Sequence, residues 1–379
     1  MHDMNSKISP KERLSLVGMY LRLPFSLLAS IALSPFLART RGKGINRVIA
    51  EAVASFFITH CSPRQLQHFL GPSTEKYIQW AKKRSLQPIV EDLSGSETAK
   101  LMWLTEKRTD RVLFYIHGGG YMSPHTDNMV GFCPGLRKAL LQETGGELDF
   151  GIASLVYTLH PATFPTQLTE FILALTHLIS SGVSPENIIL IGDSAGANLI
   201  IQFITHTLRP VPDVIPSPFR AIEGIDVPRR LLRGIILVSP WISLGTPTPS
   251  YARNTKYDFV NASAFTRWGS WYMERVQPSH IPWIKPSSSS SFKGLETMVS
   301  RVLITAGGRE CILDDATSIF DMIEELQIPK ENLTVTLDIE EKGIHEDSIL
   351  DIESPQKSDG GFSDATMRQV NWIREAFEA

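Results

Sequence analysis

Between residues 111 and 338 the chain passes six times through a short aliphatic or β-branched run, and segments of helical length separate the runs. They read RVLFYI (111–116), FGIASLVY (150–157), NIILIG (187–192), RGIILVS (233–239), RVLITAG (301–307) and NLTVTLD (332–338). Runs that are apolar throughout, rather than alternating, are what strands buried on both faces of a parallel sheet require. The expected class is therefore α/β, a mostly parallel central sheet with helices on both faces. At 379 residues the chain exceeds the usual size of one plain domain, so a core with insertions or a cap is expected. Its 37 basic residues against 40 acidic ones leave a net charge of −3, a balance that argues against nucleic acid as a partner. Cys61, Cys133 and Cys311 are odd in number, far apart and without a C-x-x-C pair. Neither a disulfide framework nor a zinc cluster is expected from them.

Several regions stand outside this rhythm. Leu14 to Leu37 is apolar and long enough to cross a bilayer. Arg22 within it would cost roughly 2.5 to 3.5 kcal/mol on insertion scales, and Pro24 and Pro35 break helices, so a surface contact or a cap role is expected over a span. Lys11, Arg13, Arg39, Arg41 and Lys43 flank the stretch and favour peripheral membrane contact. The long polar lead and the lack of a small-residue cleavage site argue against a signal peptide. A cytoplasmic or endomembrane-associated chain is expected. Residues 45–85 carry helical periodicity. Residues 208–230 are proline-rich, and residues 243–300 hold Trp268, Trp271, Tyr272 and Trp283 ahead of a serine run, Ser287 to Ser291. The aromatic segment reads equally as an inserted core helix or as an apolar lid over a pocket, and the serine run as a flexible loop. The organisation expected is a helical region over 1–100 that supplies part of the cap, and a catalytic domain over 101–379 with an insertion at about 243–300.

The first strand runs straight into His117-Gly118-Gly119-Gly120-Tyr121. A chain of this composition would contain H-G-G-G by chance in roughly 0.3% of random orders, so the motif needs a physical reason. Glycines let a chain turn sharply and aim successive N–H groups at one point, where they can stabilise a developing oxyanion. The third run leads into Gly192-Asp193-Ser194-Ala195-Gly196, followed by the helix-compatible ANLIIQFITHTL. G-x-S-x-G alone arises by chance in roughly one random order in six, but between a strand and a helix it places a serine hydroxyl on a strained elbow above the sheet. A serine needs a base, and the base needs an acid to hold its tautomer, in the chain order serine, acid, histidine. His345, in GIHED after the last run, stands in the right place for the base. Glu310, Asp314 and Asp315 follow RVLITAG; Glu310 comes first after the strand, while Asp314 and Asp315 fit the N-terminus of the next helix.

These residues resemble the hormone-sensitive-lipase-like branch of the α/β-hydrolases, from about residue 100 onward, through HGGGY, GDSAGANL, SPWISL, GGRECILDD and GIHED. The resemblance implies a serine esterase with Ser194 as nucleophile, His345 as base and Glu310 as acid. It implies an oxyanion hole made by the amides of Gly118, Gly119 and Ala195, and a cap formed by the N-terminal helices with the insertion after SPWISL. Many relatives carry aspartate at the position of Glu310, and a second glycine where Ala197 stands. The long apolar N-terminus and proline-rich insertion look like fungal hydrolases of secondary-metabolite pathways. The substrate expected is a hydrophobic small-molecule ester, with no metal or cofactor. The same residues would equally serve an acyltransferase, lactonase or cyclisation catalyst, and the fold is also used by non-catalytic ligand receptors.

Overall fold

The computed structural model describes residues 8–219, 232–353 and 361–379. Residues 220–230 of the proline-rich segment therefore lie outside the described residues. Four helices come first: α1 (Pro10–Leu33), α2 (Ile45–His60), α3 (Pro63–Leu70) and α4 (Ser73–Lys83). The sheet is built from β1 (Ile89–Asp92), β2 (Lys100–Trp103), β3 (Val112–Ile116), β4 (Gly151–Val156), β5 (Ile188–Asp193), β6 (Gly234–Val238), β7 (Arg301–Gly307) and β8 (Thr334–Glu340). Helices α5 (Asp127–Glu143), α6 (Thr166–Ser180) and α7 (Ala195–Leu208) join the middle strands. The insertion between β6 and β7 carries α8 (Pro249–Asn254), α9 (Ala262–Met273) and α10 (Ile281–Ile284). After β7 come α11 (Leu313–Glu324), α12 (Asp347–Glu353) and α13 (Asp364–Glu378).

The eight strands lie in the order β1-β2-β4-β3-β5-β6-β7-β8, antiparallel from β1 to β4 and parallel from β4 to β8. The six runs singled out in the sequence are β3 to β8. Within β3 to β7 alternate residues feed two cores, whereas β8 at the sheet edge has only half-buried and exposed residues. Val112, Phe114 and Ile116 join Ile188 and Leu190 on the face covered by α6, α7 and α11. Leu113 and Tyr115 join Ile189 and Ile191 on the face covered by α4, α5, α12 and α13. Unbroken apolarity is thus the consequence of two buried faces. The strand order reverses about β3, so the carboxyl ends of β3 and β5 open at the place where open α/β sheets bind ligands.

The boundary expected between residues 100 and 101 falls at the start of β2, and β1 extends the sheet back to Ile89. Helix α1 is continuous through Pro24, contrary to the break expected there. Tyr20 and Pro24 are both exposed, so water can satisfy the carbonyl that proline leaves unpaired. The serine run is also ordered: Ser289–Phe292 forms a single 3-10 turn against α7 and α11, with Ser291 buried and accepting from Arg209 at 3.3 Å. Helix α2 is tied to the chain after β8 by a buried ion network. Glu51 accepts from Lys43 at 2.6 Å and Arg47 at 2.9 Å, and Arg47 also pairs with Asp347.

Candidate active site

Strand β5 ends at Asp193 and α7 begins at Ala195, which leaves Ser194 to turn the chain. It does so at φ 49 and ψ −112, a conformation that costs a non-glycine residue about 1–3 kcal/mol. The elbow is held by its own backbone: the Ser194 amide donates to Val238 O at 2.9 Å, and its carbonyl accepts from the amides of Asn198 at 3.0 Å and Trp241 at 3.2 Å. Glycine lets the strand and helix cross. A Cβ on Gly192 would stand 2.7 Å from the Gly196 carbonyl carbon, and one on Gly196 would stand 2.0 Å from Ile116 O.

His345, delivered by the loop after β8, places Nε2 3.1 Å from Ser194 Oγ. Its Nδ1 lies 3.5 Å from Glu310 Oε2. Neither Nδ1 nor Glu310 Oε1 has another hydrogen-bond partner among the described residues, which leaves both groups to this contact. Ser239 fixes the carboxylate by donating to Glu310 Oε2 at 2.6 Å. The neighbouring carboxylates are engaged elsewhere. Asp314 accepts from the Ser250 amide and Arg253, and Asp315 accepts from the amides of Ile242 and Ser243. Both sit in the first turn of α11 and pin the loops after β6.

The expected oxyanion hole needs one correction. The Gly118 amide donates to Asp193 Oδ2 at 2.9 Å and is buried, so it is spent within the fold and not aimed at a ligand. Gly119 and Gly120, at φ 85 and 61, line the cavity beside Ser194. The amides of Gly119, Gly120 and Ala195 have no acceptor among the described residues. Gly120 replaces Gly118 as a candidate donor. His117 serves as scaffold: it is fully buried, stacks on Tyr157 at 4.3 Å, and burial pushes its pKa down to about 3. The Tyr157 hydroxyl donates to the carbonyls of His117 and Gly118, holding the glycine turn.

Two further carboxylates surround the histidine. Asp258 accepts from the His345 amide at 3.3 Å and the Cys311 amide at 2.7 Å, and burial lifts its pKa to about 7. Glu346 Oε1 lies 3.4 Å from His345 Nε2. Burial works against charge on His345, but Glu346 followed by Glu310 outweighs it and holds the imidazole well above its usual range. Asp193 is raised well above the carboxylate range, by burial first and then by Glu346, with which it shares a hydrogen bond. Glu346 meets the same burial penalty, yet the charge of His345 brings it below its usual value. Sequence reasoning passed over Asp258 and Glu346. Adjacency to His345 was the available signal for Glu346; Asp258 had only its place between aromatic residues.

The site floors a cavity of about 470 Å³. Its walls include Phe57 from α2, Phe69 and Leu70 from α3, and Phe265 and Trp268 from α9. The two halves of this wall are joined where Arg267 donates to Ile58 O at 2.7 Å. Of the aromatic residues in the insertion, Trp268 faces the cavity, Tyr272 packs in the core on Tyr121 at 4.0 Å, and Trp283 donates to Arg209 O outside the cavity. The segment is lid and core at once. Among the described residues no group of three or more His, Cys, Asp or Glu side chains is placed to hold a metal ion.

Comparison with known proteins agrees with this architecture. An esterase from Acinetobacter venetianus is 23% identical over 221 residues, covering 58% of this chain and 63% of its own. Mouse hormone-sensitive lipase is 33% identical over 138 residues, or 33% of this chain and 17% of the lipase. The match thus spans less than two thirds of either relative. A crystal structure of EstE5 soaked with ethyl alcohol superposes with a TM-score of 0.61 at 18% identity, over 89% of this chain and all of that one, and shows the shared fold. The family model described as alpha/beta hydrolase fold matches residues 113–346. With more than half of the chain inside that match, the protein belongs to the alpha/beta hydrolase fold family, in its hormone-sensitive-lipase-like branch.

Proposed function

We propose that the protein hydrolyses carboxylic esters of a hydrophobic small molecule through an acyl-enzyme on Ser194. The observation that carries this reading is the run Ser194, His345, Glu310 set beside three unspent amides on the floor of an apolar cavity. His345 Nε2 takes the hydroxyl proton as Ser194 Oγ attacks the ester carbonyl, and Glu310 holds the imidazole in orientation. The carbonyl oxygen becomes an oxyanion held by the amides of Gly119, Gly120 and Ala195. Collapse breaks the ester C–O bond, and the imidazolium returns its proton to the leaving alkoxide. Water then loses a proton to His345, attacks the acyl carbon, and releases the acid with Ser194 restored.

Helix α1 supports peripheral contact with a lipid surface. Leu14, Val17, Leu21, Phe25 and Leu28 lie at helical spacing and are all exposed, whereas only Leu16 and Met19 of this helix are buried. Basic residues flank the face, and Tyr20 of α1 packs edge-on against Phe69 of the cavity wall at 6.0 Å. An apolar face with basic flanks lies on a bilayer surface, and here it would present the cavity to ester dissolved in lipid.

A p-nitrophenyl ester series from acetate to decanoate, with wild type and Ser194→Ala assayed together, tests the reading. Turnover by wild type alone, with an optimum set by the cavity, is expected. Turnover retained in Ser194→Ala removes Ser194 from the mechanism.

A further inference from the structure

The reading above assigns no role to Glu346, yet it is the polar group nearest the reactive side of His345 after Ser194 itself. Its Oε1 stands 3.4 Å from Nε2, the nitrogen that lies 3.1 Å from Ser194 Oγ. Successive side chains ordinarily diverge, and here a backbone φ of 52 turns Glu346 back toward its neighbour's ring. The left-handed conformation is unfavourable for a non-glycine residue, so this orientation is held against local preference. The hold is visible: the Glu346 amide donates to Ser239 Oγ at 3.2 Å, the same hydroxyl that fixes Glu310.

The carboxyl also shapes the floor opposite the histidine. A Cβ on Gly118 would meet Asp193 Oδ2 at 2.2 Å and Glu346 Oε1 at 2.9 Å. Two carboxyl groups therefore converge over the Gly118 α-carbon, which explains why that position needs glycine even though its amide does not face the cavity. Asp193 is fully occupied, accepting from the Tyr115 hydroxyl at 2.7 Å and from the Gly118 amide at 2.9 Å. It retains the proton of the pair, for the reason given above, and Glu346 carries the charge. The groups that face His345 can be named element by element. They are Glu310 after β7, Asp258 from the loop before α9 through the His345 amide, Glu346 beside it, and Ser194 and Asp193 at the end of β5. His117 after β3 is neutral, and Phe259 and Phe265 contribute only ring contacts. Among the described residues the cation that faces Glu346 in this arrangement is the imidazolium of His345.

We propose that Glu346 is a second positioning carboxylate of the site, acting on the Nε2 side of His345 as Glu310 acts on the Nδ1 side. Each tetrahedral intermediate leaves His345 protonated, with its new Nε2–H within reach of both the departing oxygen and Glu346. The carboxylate stabilises that imidazolium and keeps the ring facing Ser194 between proton transfers. In the acyl-enzyme it holds the ring in the same orientation while Nε2 takes one proton from the attacking water, whose other hydrogen stays on the oxygen that joins the acyl carbon.

The inference rests on the proposed hydrolysis, and its test separates the two. The base must be neutral to act, so kcat/KM rises with pH through the pKa of His345, and a nearby negative charge moves that limb upward. Glu346→Gln is expected to shift the acidic limb to lower pH by about one unit, the low end of what a carboxylate at this range does. Glu346→Asp, which keeps the charge, is expected to stay closer to wild type. An unshifted limb in an active Glu346→Gln enzyme overturns the inference and leaves ester hydrolysis standing; wild type that turns over no ester overturns both. A second measurement does not depend on turnover: NMR titration of the His345 ring in wild type and Glu346→Gln. A midpoint lower in the variant supports the inference, and an unchanged midpoint overturns it.

Discussion

The floor of the site and the wall around it are built on opposite principles. On the floor, most polar groups of the elbow and the glycine turn have a partner or a task. Ser194 is held by three backbone bonds, the Gly118 amide by Asp193, and Glu310 by Ser239. The wall is mostly aromatic and aliphatic, with many of its side chains from α2, α3 and α9, elements far apart in the chain that meet over the cavity; Lys76, Asp127 and Asn128 also line it. Beyond it, α1 leaves most of its apolar surface uncovered. Chemistry that places charge on one oxygen needs donors whose orientation is set in advance, and buried hydrogen bonds supply that. Apolar contact is non-directional, so a wall made of it can be varied to suit a substrate without disturbing the floor.

This contrast can be broken by substitutions on either side. With the nucleophile left in place, the largest effect is expected at the acid. Glu310→Gln should lower kcat by about 10²–10⁴, by analogy with loss of the acid in other triads. Asp314→Asn, which removes an anchor of the loop after β6 but no group near the histidine, should cost less than about tenfold. Steady-state kinetics on one soluble ester decides between them, and the reverse ranking would move the acid to Asp314. The smallest effect on turnover is expected on α1. Replacing Leu14, Leu21 and Phe25 by glutamate should leave kcat/KM on a soluble ester within about twofold, because surface changes away from packed groups move stability by only about 0.5 kcal/mol. The same protein should lose flotation with anionic vesicles. Flotation equal to wild type would show that the exposed face is not a lipid contact.

Legibility in the sequence followed the same division. Five of the runs became β3 to β7 because burial on both faces demands apolar residues in succession; the sixth became β8, an edge strand with only half-buried and exposed residues. The hairpin β1–β2 escaped notice because Ile89–Asp92 is an edge strand of four residues, with exposed and half-buried positions in alternation. The elbow and the glycine turn were legible as motifs, since both depend on local backbone geometry that few residues permit. Which glycine amide is spent was not legible, because Gly118 is claimed by Asp193, 75 residues away in sequence. The role of Glu346 was hidden for a similar reason: its orientation depends on a left-handed backbone at that one residue. The wall was the least legible part, since Trp268 lines the cavity while Tyr272, one helical turn later, packs in the core.

If Ser194 becomes acylated, a covalent probe of serine nucleophiles will capture it there. Wild-type protein is treated with a fluorophosphonate, digested and analysed by mass spectrometry. One phosphonylated peptide is expected, with the adduct on Ser194, and no adduct in Ser194→Ala. An adduct at another residue, or turnover of esters by protein whose Ser194 stays unlabelled, would contradict it.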